Sequence, residues 1–272
     1  MIPIPFTKAH GAQNDFLLTW GEQVPRGISD LACLARAICD RNTGAGADGW
    51  IVITRSNIAH GGSPPSADIQ LWNSDGSRSE ISGNGTRCAA ALLVDSGDAQ
   101  NEVEILTGAG VKKLRLLERH GLQFLFEMHM GRAHVEDLHA QIVPGRECVI
   151  LNVGNPQCAV FCQDFDFDWR SLGAQLERHP RFPNRTNVSF VRIVDRHTID
   201  VRFFERGAGE TRSSGTGSTG AAAAALARGF VEAPVQVLTP AAPLNIRWQG
   251  ADMLLSGPAE IVARGEFYWD EP

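Results

Sequence analysis

Short runs in which apolar and polar residues alternate dominate the chain. Examples are WIVIT (50–54), DIQLWN (68–73), VEIL (103–106), KLRLL (113–117), FLFEM (124–128), CVILNV (148–153), VSFVRIV (188–194), IDVRFFE (199–205) and VQVL (235–238). Period-two alternation marks a strand with one buried face. Four segments break the pattern. Ser29 suits the N-cap of a helix carrying Leu31, Leu34, Ala35 and Ile38 on one face. A second helix is expected from about Gly85, a third over roughly Trp169–Arg178 and a fourth from about Gly217. The order is strands, helix, strands, helix, then the same again, which predicts an α+β fold built by duplication.

The duplication is legible residue by residue. ISGNGTRCAAALL (81–93) returns as SSGTGSTGAAAAAL (213–226), and Ser82 and Ser214 stand 132 residues apart. Ser82, Gly83, Gly85, Ala89, Ala90 and Ala91 match Ser214, Gly215, Gly217, Ala221, Ala222 and Ala223 without a gap. Two similar domains are expected, each with a Gly-rich loop leading into a small-residue helix that runs through the middle of its own sheet. Their expected limits are 1–111 plus 262–272, and 112–261.

Composition narrows the function classes. The 272 residues are 43% hydrophobic and 21% charged with a net charge of −6, ordinary for a globular chain. No run of Lys or Arg suggests a nucleic-acid face, and no stretch is long and apolar enough to span a membrane. MIPIPFTKAHG lacks the basic start and apolar core of a signal peptide, so a cytoplasmic location is expected. Cys33, Cys39, Cys88, Cys148, Cys158 and Cys162 form no CxxC pair and no Cys/His metal spacing. Reduced, buried thiols and no metal site are expected.

A Gly-rich turn entering a helix exposes free N–H groups at the positive end of the helix dipole, which suits a carboxylate or phosphate. Two such termini are expected to grip one small anion and to set side chains 82 and 214 on opposite faces of it. Polar residues crowd the flanking segments: HGAQNDF (10–16), NSDGS (73–77), GNPQ (154–157), RFPNRTNVSF (181–190) and ERGAGETR (205–212). Amides, an Arg and a Glu in these segments suit a ligand with carboxylate and ammonium groups. A serine ahead of Gly-x-Gly is also a good N-cap with no chemistry attached.

With FTKAHGAQNDF, GAGADG (44–49), NSDGS, SGNGTRC, GNPQC, RFPNRTN and ERGAGETRSSGTGS in this order, the chain resembles the diaminopimelate epimerase family over essentially its whole length. The resemblance implies an α+β fold of two pseudo-symmetric domains, each a β-sheet curled around a central helix, and a cofactor-independent, usually homodimeric isomerase acting on a small-molecule amino acid. The reaction inverts one α-carbon of LL-diaminopimelate to give the meso form used for lysine and peptidoglycan. It further implies substrate contacts at Asn14, Asn73, Gly83, Asn84, Asn155, Asn187, Glu205, Arg206, Gly215 and Thr216. The helix termini would hold the reacting α-carboxylate, and Arg206 with the asparagines would read the far end.

The family pattern places a catalytic cysteine at each of the two positions held here by Ser82 and Ser214. Gln13 stands where Gly is preferred, Gln157 where His is usual, and an alternative amide contact near Gly49 is absent. A thiol titrates near pH 8.5 and an alcohol is weaker by about five units, a deficit of about 7 kcal/mol. A helix N-terminus offsets about 1–2 kcal/mol of that. A serine here therefore needs a neighbouring base, and His10, Asp48, Glu80 and Glu205 are the candidates. Three readings stay open: an epimerase working through Ser82 and Ser214, an isomerase of the same fold based on a carboxylate, or an inactive or engineered relative that binds an amino acid.

Overall fold

The computed structural model describes residues 1–28, 30–55 and 66–270. It divides into two compact units, Met1–Met128 with Gly257–Pro272, and His129–Ser256. The divisions thus fall at 128/129 and 256/257, against 111/112 and 261/262 expected.

The first unit holds β1 (Ile2–Gly11), β2 (Asn14–Trp20), α1 (Leu31–Cys39), β3 (Gly49–Arg55), β4 (Ser66–Asn73), β5 (Arg78–Ser79), α2 (Gly83–Asp95), β6 (Glu102–Thr107), β7 (Gly110–His120) and most of β8 (Gln123–Gly131). The second holds β9 (His134–Ala140), β10 (Cys148–Asn152), β11 (Pro156–Phe161), α3 (Trp169–Glu177), β12 (Asn187–Asp195), β13 (Thr198–Glu205), β14 (Gly209–Thr211), α4 (Gly215–Ala227), β15 (Val235–Leu238) and β16 (Leu244–Gln249). The long β17 (Asp252–Trp269) begins in the second unit and ends in the first.

Within the first unit β1–β2 is antiparallel, β2–β3 parallel, β3–β4 antiparallel, β4–β6 parallel and β6–β7–β8 antiparallel. Within the second, β10–β11, β11–β12, β12–β13, β13–β15 and β15–β16–β17 repeat that series in the same order. Parallel neighbours need a crossover. In each unit helices fill both: α1 and α2 in the first, α3 and α4 in the second. The duplication read from the glycine motifs therefore extends to each of these strand pairings.

Each alanine-rich helix is the centre of its own unit. All residues of α2 from Gly83 to Val94 are buried, against β1, β2, β3, β4 and β6. Gly215 and then Gly217 to Ala225 of α4 are buried, against strands from β9 to β16. Small residues let a helix sit this close to curled strands. A Cβ on Gly217 would stand 2.8 Å from the Phe203 ring and 2.9 Å from Ser214 Oγ. Gly→Ala normally favours a helix, but here Gly217→Ala is expected to destabilise by about 1–3 kcal/mol through overpacking. Urea denaturation reads this as a lower midpoint, and an unchanged or raised midpoint would refute the packing argument.

Helix starts differ from the sequence expectation in an instructive way. Both α2 and α4 begin two residues earlier than expected, at Gly83 and Gly215. The reason is that Ser82 and Ser214 are the N-caps, so the glycines lie in the first turn rather than in a loop. For α1, Ser29 lies outside the described residues, and Asp30 is the cap, accepting from Cys33 N at 2.9 Å. The expected apolar face is present: Leu34, Ala35 and Ile38 are buried and Leu31 packs at its edge.

Candidate active site

In the first unit the capping serine anchors a polar cluster. Ser82 Oγ accepts from Gly85 N at 3.1 Å, and Thr86 N reaches back to Ser82 O at 2.8 Å. That is the first intrahelical bond, so the N–H groups of Gly83 and Asn84 precede it and have no helical acceptor. Residue 82 itself is half-buried, and among the described residues no His, Asp or Glu hydrogen-bonds its hydroxyl. His10 instead lies 3.6 Å from Glu260, and Glu80 is exposed.

Asn84 is almost fully buried and donates from Nδ2 to Asn14 Oδ1 at 3.2 Å. Asn14 opens β2, directly after a two-residue hairpin turn at Ala12 and Gln13 whose φ values are 50° and 62°. This left-handed turn suits the twist of a hairpin but costs a non-glycine residue about 1–2 kcal/mol. Asn14 Nδ2 donates in turn to Asp48 Oδ2 at 2.7 Å. Asn73, at the end of β4, is tied to its own turn through Ser77 Oγ at 2.9 Å rather than to this cluster.

The second unit repeats the cap but adds a carboxylate. Ser214 Oγ accepts from Gly217 N at 3.0 Å and donates to Glu205 Oε1 at 2.6 Å. Glu205 ends β13, as Asn73 ends β4, so the two repeats place different side chains at one position. Burial of the Glu205 carboxyl raises its pKa above the ordinary 4.5, opposed by the hydrogen bond from Ser214. Ser214 is itself buried.

Around this pair, Asn155 Nδ2 donates to Thr216 Oγ1 at 3.3 Å, while Asn155 Oδ1 accepts from Gln157 Nε2 at 2.7 Å. Asn187 bridges two segments, donating to Pro156 O at 3.0 Å and accepting from Arg206 N at 3.0 Å. The Arg206 side chain is exposed and reaches Asn184 O at 3.4 Å. Within one unit, therefore, Ser82, Gly83, Asn84 and Asn14 assemble; within the other, Ser214, Gly215, Thr216, Asn155, Asn187, Glu205 and Arg206 do.

The comparisons with known proteins decide the family. The family model described as "Diaminopimelate epimerase" matches residues 6–135 and 149–262. A diaminopimelate epimerase of Pelotomaculum thermopropionicum is 36% identical, covering 96% of this chain and 98% of the relative. The one of Moorella thermoacetica is 35% identical, covering 97% and 99%. The chain belongs to the diaminopimelate epimerase family. Among solved structures, a hydroxyproline epimerase from Agrobacterium vitis aligns with a TM-score of 0.73 at 17% identity over 100% of this chain and 94% of that one. A Bacillus anthracis protein of the PhzF family aligns at 0.72 and 12% identity, covering 98% and 99%. At such identities these two speak for the fold alone, and it is the fold expected: α+β, with a curled sheet around a helix in each repeat.

The six cysteines are free, and burial pushes Cys88 up to about 12 and Cys148 up to about 11. One supporting residue escaped the sequence reading. Glu177, buried at the end of α3, accepts from Gly207 N at 3.1 Å and pairs with Arg185 at 2.8 Å, so it holds the turn that carries Glu205 and Arg206. A carboxylate in the last turn opposes the helix dipole, and that misfit was the available signal. Among the described residues no cluster of His, Cys, Asp and Glu could hold a metal ion, and no helix is long and apolar enough to cross a membrane.

Proposed function

We propose that this protein interconverts LL- and meso-diaminopimelate, with Ser214 and Ser82 as the two acid–base positions. Family membership supports the reaction, and the 2.6 Å contact between Ser214 and Glu205 carries the mechanism. Epimerisation removes the α-proton from one face and returns one to the other. In the first step the α-proton passes to Ser214 Oγ as the Ser214 proton passes to Glu205, which ends as the neutral acid. The electron pair left on carbon spreads into the α-carboxylate, which free helix-terminal N–H groups stabilise. Ser82 donates the second proton; water then returns a proton to Ser82, in keeping with its half-buried position, while Glu205 gives its proton back to solvent, which closes the cycle.

Glu205 thus supplies the base that an alcohol lacks, and its raised pKa makes it a better proton acceptor than a free glutamate. Asn14, Asn73, Gly83, Asn84, Asn155, Asn187, Arg206, Gly215 and Thr216 bind the substrate in this reading. A role in lysine and peptidoglycan precursor synthesis, a cytoplasmic location, a homodimer and independence of cofactors accompany it and rest on the family resemblance.

The deciding experiment follows deuterium from solvent into the α-carbon of LL-diaminopimelate by NMR, with calorimetry in parallel. Exchange accompanied by appearance of the meso form is the expected result. Tight binding without exchange would overturn the proposal in favour of an amino-acid-binding relative.

A further inference from the structure

Two charged residues close off the amide pair of the first unit. Arg87 lies one turn beyond Asn84 on α2 and is fully buried, with Nη2 donating to Asn84 Oδ1 and Nε to Pro258 O at 3.2 Å. Among the described residues its Nη1 is buried with no hydrogen-bond partner, and no carboxylate pairs with the guanidinium. A buried, unpaired cation near a helix N-terminus is unfavourable on both counts, so packing does not explain it. At the other end Asp48 accepts from Asn14 Nδ2 and is held by Arg41 at 2.8 Å and by Asp15 N at 3.2 Å.

The series Arg87, Asn84, Asn14, Asp48 has only one consistent direction. A guanidinium only donates, so Asn84 must give it oxygen; a carboxylate only accepts, so Asn14 must give it nitrogen. The middle bond must then run from Asn84 Nδ2 to Asn14 Oδ1, as it does. Each amide keeps one N–H in reserve, and each oxygen is already engaged. In the second unit, Thr216 and Thr219 occupy the helix positions of Asn84 and Arg87, so no such charge ends that chain.

We propose that Asp48 and Arg87 are positioning residues which lock the direction of the Asn14–Asn84 pair, so that both amides meet the substrate carboxylate as donors. This rests on the reading of Asn14 and Asn84 as substrate contacts. Without the lock each amide can turn over and set its oxygen against the anion, which weakens binding in ground and transition state alike.

The test uses the full chain and Asp48→Asn, a change at a side chain 44% exposed. Expected in ligand-free protein is a shift of the Asn84 side-chain amide resonances in 15N–1H spectra, relayed through Asn14, the residue that hydrogen-bonds to both Asn84 and Asp48. Expected in kinetics is a KM for diaminopimelate raised about tenfold with kcat within about twofold, the mark of lost uniform binding. Arg41→Gln removes the same ion pair but leaves the Asp48 carboxylate to Asn14, and it should do neither; Arg87→Lys, which keeps a donor, should restore more than Arg87→Met. Unmoved Asn84 resonances in Asp48→Asn overturn the proposal, as does an equal KM effect from Arg41→Gln. A wild-type chain inert towards diaminopimelate would instead refute the epimerase reading, and the resonance shift would still decide the lock.

Discussion

Ser82→Cys combined with Ser214→Cys raises turnover of diaminopimelate by about 10²–10⁴-fold, the range that a well-matched acid–base group contributes. The thiol is more acidic than the alcohol by about five units, a gap that the helix terminus narrows only slightly. The two positions should not share the gain equally. Ser214 already has Glu205 at 2.6 Å, and a thiolate there would face a neighbouring carboxylate. Ser82 has no such partner among the described residues, so Ser82→Cys alone carries the larger part. Rates of LL-to-meso conversion for the two single variants and the double variant provide the check. A double variant that folds and binds but gains nothing would show that residues 82 and 214 are caps without chemistry.

Glu205→Gln lowers the rate by about 10²–10⁴-fold, since glutamine accepts no proton. The pH profile gives the same answer independently. Burial raises the Glu205 pKa above 4.5, so the carboxylate forms at higher pH than in a free side chain. The acidic limb of kcat/KM should therefore lie above 4.5 in the parent protein and disappear from any residual activity of Glu205→Gln. Stability runs the other way. A raised carboxyl pKa means the fold favours the protonated form, so this group's contribution is complete below the unfolded-state value and is lost as pH rises through the folded one. The window that switches the base on is the window in which it destabilises the fold. Thermal unfolding across that window should show Glu205→Gln with the weaker loss of stability as pH rises; identical curves would mean that Glu205 does not titrate there.

Much of this was legible in the chain. The period-two runs mark strands because alternate side chains face the core. The Ser-Gly-x-Gly repeat marks two equivalent helix starts because only small residues let a helix enter a curled sheet. The serines' capping role follows from their type and place, and Glu205 stood among the candidate bases. The sequence pattern places each helix start two residues late because a glycine inside a first turn looks like loop until the cap's hydrogen bond is known.

The sequence by itself determined the duplicated α+β architecture and the family, since both rest on local pattern and motif order. Only the tertiary structure decided which serine has a base, because Ser214 and Glu205 meet through a strand and a helix that fold back on each other. It alone also joined Arg87, Asn84, Asn14 and Asp48, whose partners lie up to 70 residues apart in the chain and whose bonding direction exists only once donors and acceptors are in place. Periodicity records which face of an element is buried; it carries no information about which polar groups share that burial.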